Sequence, residues 1–240
     1  MARHSKWHKV KQFKGAIDAK RSASFTKLGR EIAVAAREKG ADPEVNARLR
    51  AAIQKARETS MPKENIERAI QKGSGSGTEG FIETLTYEAY APGGTALVIE
   101  ALTDNRNRTA NDVKHLLSKN GASLAMTGSV TYLFDRVGVI RIQKGFPSAQ
   151  RETCELAVID AGATHIIDDE GVIELHTHPN ELGSLAVAVV ALGCKTDTAE
   201  FQWVPKALVE TDEHVGMQVT ELIEQLEEHD DVSRVFSNLA

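Results

Sequence analysis

The segment "MARHSKWHKVKQFKGAIDAKRSASFTK" carries eight Lys/Arg against a single Asp. Ammonium and guanidinium groups at this density bind phosphate, and one aromatic ring among them supplies a stacking face for an unpaired base or a wedge for an RNA groove. Arg3, His4, Ser5, Lys6, Trp7, Lys9, Lys11, Lys14, Lys20, Arg21 and Lys27 are the candidate nucleic-acid contacts. Trp7 has no apolar neighbour at helical spacing until Val10 and Phe13, so its ring is expected to be at least partly exposed.

A second constellation is "ALTDNRNRTANDVKHLL". Its apolar run predicts a strand ending at Asp104, then a helix capped by Thr109, with Asn105, Arg106, Asn107 and Arg108 on the connecting loop. Two forked guanidiniums beside a helix N-terminus suit a phosphate or partner contact. The same polar groups would equally serve to cap the helix and hold the loop.

Other groupings point away from chemistry. His176 and His178 alternate on a predicted strand, as a metal pair would, yet no third ligand is in sight, and a cross-strand or surface pair is the preferred reading. Asp168-Asp169-Glu170 before Gly171 reads as an acidic hairpin turn rather than a cation site. No GxSxG, HExxH or Walker pattern occurs, and no Cys/His nucleophile pair is suggested. Catalysis, a cofactor and a metal are therefore not expected. Cys154 and Cys194 stand alone, without CxxC spacing, which fits a reducing cytoplasm. No apolar h-region follows the basic start, and the longest apolar run, "LAVAVVALGC", is too short for a bilayer and reads as a buried helix.

The charge is sorted along the chain. Residues 1–77 sum to +10 and residues 78–240 to -15, within a total of -5. Such asymmetry fits a polyanion-binding arm on an acidic body. The elements that must carry the arm follow from periodicity. Phe25, Leu28, Ile32 and Ala35 form one helical stripe closed by Gly40; Val45, Leu49, Ile53 and Ala56 form a second, with Asp42 as cap and Pro43 at the first position. Ile66, Ala69 and Ile70 form a third, begun at Ser60-Met61-Pro62 and ended at Gly73. Three short amphipathic helices bury their stripes only against one another, so residues 1–77 read as a basic arm and three-helix bundle, with "GSGSG" as a hinge.

Beyond the hinge the period changes. Residues 135–204 read as βαββαβ, the ferredoxin-like split βαβ pattern. The strands expected at "TALVIEALT", "SVTYLF", "KALVET" and "VSRVFSN", with helices at 107–120 and 212–231, spell the same order across that insertion. The fold class is α+β: a helical bundle and two ferredoxin-like modules, one (135–204) inserted into the other (78–134 with 205–240).

"HSKW", "DAKR" with "FTKLGREI", "NARLRAAIQKA", "MPKENIERAIQKG", "YEAYAPGGTALVIEALTDNRNRT", "LSKNGASL" and "LEEHDDVSRVFSN" together resemble the YebC/PmpR family, from Met1 to the last strand. The resemblance implies a three-domain cytoplasmic protein that controls gene expression without catalysis, as a DNA-binding transcriptional regulator or as a ribosome-associated factor aiding translation through proline-rich stretches. It carries the basic signature onto His4, Ser5, Lys6, Trp7, Lys11, Lys14, Asp18, Arg21, Phe25 and Lys27, and the loop signature onto Thr103 through Thr109. Arg3, Phe13 and Ser22-Ala23 depart from the family pattern of Gly, a basic residue and Gly-Lys.

Between DNA and RNA the residues lean one way. A DNA reader needs a helix presenting base-reading groups to the major groove. The outward side of "MPKENIERAIQKG" is expected to show Glu64 and Glu67 near the helix start, where they would repel phosphate. An extended basic arm with one aromatic suits backbone and shape recognition of folded RNA, with low sequence specificity. The partners expected are DNA or RNA, the ribosome among them, and no membrane.

Overall fold

The computed structural model describes residues 24–75, 82–143, 145–147, 150–169 and 171–240. Arg3, His4, Ser5, Lys6, Trp7, Lys9, Lys11, Lys14, Lys20 and Arg21 lie outside the described residues. Helix α1 covers 24–39, α2 Ala47–Glu58 and α3 Lys63–Gly73. Their stripes meet as expected: Leu28, Ile32, Ala35 and Ala36 pack with Leu49, Ile53, Ala56, Met61, Ile66 and Ala69, with Phe25 and Ile70 at the margin. Gly73 ends α3 against α1 so closely that a Cβ there would sit 2.1 Å from the Ala33 carbonyl oxygen. Only glycine fits.

The start of α2 differs from expectation. Asp42 caps only the turn before the helix, accepting the Glu44 amide at 2.9 Å, and Val45 is 77% exposed. The helix cap is Asn46, which is fully buried. Its Oδ1 accepts the Leu49 amide at 3.0 Å, while its Nδ2 donates to the carbonyls of Ala35 at 2.7 Å and Gly40 at 2.8 Å. One amide side chain thus closes α1 and opens α2, satisfying orphan groups at both helix ends.

Strands β1 (Glu83–Tyr90), β2 (Ala96–Thr103), β3 (Ser123–Leu124) and β8 (Val232–Ser237) form a sheet ordered β3-β1-β2-β8. Helix α4 spans Arg106–Lys119 and α7 Glu213–Glu228. β2 is central and buried at every residue except Glu100, which explains its unbroken apolar run. Strands β4 (Phe134–Ile142), β5 (Ala163–Asp169), β6 (Val172–Thr177) and β7 (Thr196–Pro205) form a second sheet ordered β5-β6-β4-β7, with antiparallel neighbours throughout. Helices α5 (Arg151–Asp160) and α6 (Leu182–Ala191) cover one of its faces, where Cys154, Val158, Leu185 and Val189 meet Ile140, Ile142, Ile173 and Leu175.

By Cα packing the described residues fall into two compact units. One takes residues up to Tyr87 with Ile99–Leu124 and Glu213–Val235; the other takes Glu88–Val98, Ala125–Asp212 and Phe236–Ala240.

Two expected strands are absent. Residues 131–133 of "SVTYLF" make a 3-10 turn, and β4 begins only at Phe134. The cause is Glu88, 4% exposed, whose carboxylate accepts the amides of Gly128 at 2.6 Å, Val130 at 2.6 Å and Thr131 at 2.9 Å. Amides gathered on one carboxylate cannot join a ladder, and these contacts hold its pKa below the usual glutamate range despite the upward push of burial. "KALVET" is no strand either and contributes a single bridge, Val209 to Leu239. Nor is "LAVAVVALGC" a buried helix: α6 buries Leu185 and Val189 but leaves Val187 and Val190 exposed.

The two candidate caps make opposite predictions. Asn46→Ala removes the cap and the amide bonds to the Ala35 and Gly40 carbonyls, so it should cost about 2–3 kcal/mol in denaturant unfolding. Asp42→Ala should stay within about 0.5 kcal/mol of the parent protein, as an exposed substitution does.

Candidate nucleic-acid interface

Helix α1 is buried on two sides. Leu28, Ile32, Ala35 and Ala36 face the bundle core, whereas Ala33 and Val34 pack with Ile82 and Leu102. The second side is otherwise polar. Lys27 Nζ donates to the Glu227 carbonyl, Arg30 donates to the Asp230 carbonyl, and Arg37 Nη1 donates to the Ile82 carbonyl at 2.8 Å.

These cations answer a need of α7. Its last turn holds no basic residue, and Glu227, Glu228, Asp230 and Asp231 crowd the end where the helix dipole is already negative. Lys27 and Arg30 supply the missing positive charge from another helix. Burial pushes the Lys27 amine below its ordinary pKa, opposed by Glu227, Asp230 and Glu31. Lys27, expected to meet nucleic acid, is thus engaged within the chain.

The centre of the arrangement is Asp231, 2% exposed. It receives Arg30 at 2.8 Å, Arg108 at 2.9 Å, the Thr109 hydroxyl at 2.6 Å and the Thr103 hydroxyl at 3.3 Å. Burial alone would raise its pKa; the Thr109 and Arg108 hydrogen bonds and the Arg30 charge outweigh that and hold it below the usual aspartate range.

The expected loop is shorter than its sequence suggested. Helix α4 starts at Arg106, and its cap is Asn105, whose side chain accepts the Arg108 amide at 3.1 Å. Arg106, Asn107 and Arg108 are therefore first-turn residues and not loop residues. Thr109 is no cap; its hydroxyl bonds Thr103 and Asp231. Arg108 is gripped by Asp231 and, at 3.1 Å, by Asp104. The Arg106 guanidinium forms no hydrogen bond or ion pair among the described residues, and the Tyr87 hydroxyl stands 3.5 Å from its carbonyl. Arg106 is the cation of this pair left available to a partner.

Elsewhere on the bundle Arg48 pairs with Glu38, Lys55 with Glu31 and Lys63 with Glu67. Lys39, Arg57 and Arg68 are exposed. Glu64 and Glu67 are exposed too, on the first turns of α3. His176 is buried and bonds Glu174 at 2.7 Å, with Arg141 on the same carboxylate at 2.9 Å, while His178 is exposed beyond the strand end. No group of metal-ligating residues assembles among the described residues. Asp168 bonds Arg151 and the Gly171 amide, as a hairpin turn requires.

Sequence reasoning missed Asp231, Glu88 and Asn46. For Asp231 a signal existed: "EEHDD" at a helix C-terminus runs against the dipole preference and calls for cations from elsewhere.

Asp231→Asn should cost about 2–3 kcal/mol, because it leaves Arg30 and Arg108 facing a neutral group. Since folding lowers the Asp231 pKa, its contribution is complete above the ordinary aspartate value and fades as pH falls through the lowered one. Unfolding curves of parent and variant, compared from neutral pH downward, should converge in acid below that ordinary value.

Residues 5–76 match the TACO1/YebC protein N-terminal domain, and residues 82–239 match the TACO1/YebC second and third domain. A protein of Dehalococcoides mccartyi strain BAV1 is 46% identical over 240 residues, covering 99% of this chain and 94% of that one. One of Pelotomaculum thermopropionicum is 42% identical over 238 residues, covering 99% and 98%. Both carry the name probable transcriptional regulatory protein. The crystal structure of a conserved hypothetical protein, Aq1575 of Aquifex aeolicus, superposes with a TM-score of 0.81 at 41% identity, covering 93% of this chain and 92% of that one. With matches over residues 5–76 and 82–239, the chain belongs to the TACO1/YebC family.

Proposed function

We propose that this chain is a non-catalytic, nucleic-acid-binding regulator of gene expression, acting in the cytoplasm as a transcriptional regulator. The observation that carries the reading is the segregation of charge, +10 over residues 1–77 against -15 over the remainder. Lys27, Arg30 and Arg108 are spent inside the protein. The contacts assigned to nucleic acid are therefore Arg3, His4, Ser5, Lys6, Trp7, Lys9, Lys11, Lys14, Lys20 and Arg21, with Arg106 and Asn107 as the second contact. The names of the relatives support regulation of transcription.

Exposed Glu64 and Glu67 at the start of α3 favour a second reading, an rRNA-binding translation factor that helps elongation through proline-rich stretches. Those carboxylates oppose insertion of α3 into a major groove, whereas backbone and shape recognition of RNA needs no such helix. The acidic remainder divides, on this proposal, into 78–134 with 205–240, which carries the sheet β3-β1-β2-β8, and an inserted, ferredoxin-like 135–204. The strand order β5-β6-β4-β7 supports that pattern for the insert.

Neutralising Lys6, Lys11, Lys14 and Arg21 to Ala should abolish binding to RNA and duplex DNA while leaving the unfolding midpoint unchanged. If roughly five phosphates are met, log K should fall against log salt with a slope of about -3.5 to -4.5. Arg106→Ala should flatten that slope by about 1, without loss of stability. Unchanged binding by the fourfold variant would remove the segment from the mechanism. A promoter footprint surviving competitor DNA would select the transcriptional reading; salt-sensitive co-sedimentation with large ribosomal subunits would select the translational one.

A further inference from the structure

Helices α5 and α6 lie side by side on one face of the second sheet and bury matching positions, Cys154 and Val158 on one, Leu185 and Val189 on the other. At 100° per residue, positions two and five beyond Cys154 and Leu185 point away from that core. Both helices place large apolar residues there: Leu156 is 60% exposed, Ile159 51%, Val187 71% and Val190 62%. Helix α6 contains no charged residue at all. A helix apolar all round belongs in an interior, yet α6 is covered on one side.

We propose that the outer face of α5 and α6 docks an apolar-faced, basic segment of a partner protein. Charge selects the occupant. Glu152 sits on the same outward side of α5, with Asp160 at its edge. The cation on α5, Arg151, is held by Glu155 and Asp168, each at 2.8 Å. The unit formed by residues 88–98, 125–212 and 236–240 has 14 Asp/Glu against 6 Lys/Arg. Phosphate is repelled by such a surface. A second copy would set Glu152 and Asp160 against like charges in a two-fold contact. Four side chains of this size amount to a patch of about 300–600 Å², short of the roughly 800 Å² per partner of a stable dimer. A short amphipathic segment with lysine or arginine flanking its apolar face matches both the size and the sign. This surface is independent of nucleic-acid binding by the N-terminal residues.

The test titrates the full chain with a helical leucine–lysine peptide, a scrambled peptide of the same composition, and poly-uridine RNA, followed by amide NMR. The helical peptide should shift the amides of α5 and α6 and bind at least tenfold more weakly to Val187→Ser/Val190→Ser, a pair that keeps the charge unchanged. Leu156→Ser on α5 gives the same readout should the α6 pair disturb folding. Equal binding by parent and variants, or equal effects of helical and scrambled peptides, overturns the proposal. So does RNA shifting the same amides. A parent dimer in sedimentation equilibrium that the serine variants dissociate also overturns it, because a second copy then covers the face.

Discussion

A buried carboxylate organises the basic end of this protein. Asp231, 2% exposed, is expensive to take out of water, and only dense compensation keeps it charged. That compensation comes from four places in the sequence: Arg30 on α1, Thr103 at the end of β2, and Arg108 and Thr109 in the first turn of α4. The Asp231 carbonyl also accepts the Leu102 amide at 2.8 Å, joining the start of β8 to β2. One residue therefore fixes the helix that leads out of the basic segment, the entry to α4 and the last strand.

The same interaction sorts the cations. A guanidinium locked onto a buried carboxylate is structural, and its charge is cancelled locally before any polyanion arrives. Arg30 and Arg108 fall in this class, with Lys27 held on the end of α7. Counting charge along the sequence does not make that distinction. The positive field available to a partner is smaller than the formal +10, and the share held by residues 1–23 is correspondingly larger. The apolar attachment of α1 on this side is small, four residues, and the remainder is polar. Charged groups at such a junction fix register more than they add free energy.

Helix stripes and the apolar run of β2 were legible in the sequence, because burial on one side imposes a period and burial on both removes it. Leu28, Ile32, Leu49, Ile53 and Ile66 meet as their spacing requires. Caps were less legible. Asp42 and Asn46 are both good N-cap residues, and what decides between them is the chance for Asn46 to reach the Ala35 carbonyl across the bundle, which is tertiary information. "SVTYLF" has strand composition, yet Glu88, some forty residues earlier in the chain, takes its amides. Arg108 had the residue type of a phosphate ligand, and its partner is 123 residues away in sequence. In each case the pattern was local and the competitor was distant.

Glu88 and Asp231 share a physical logic although they serve different units. Each is an acid buried beyond ordinary tolerance, and each stays ionised because donors converge on it, backbone amides in one case and guanidiniums with hydroxyls in the other. A carboxylate bound by amides pins the path of a loop, whereas one bound by guanidiniums neutralises helix-borne charge. The acidic character of residues 78–240 is thus not all surface repulsion, since part of it is consumed in holding shape. What remains exposed is negative on α5, beside the uncharged outer side of α6. A chain sorted in this way presents phosphate-seeking charge in one segment and an apolar, acid-flanked surface in another. Their opposite sign and polarity suit chemically different ligands.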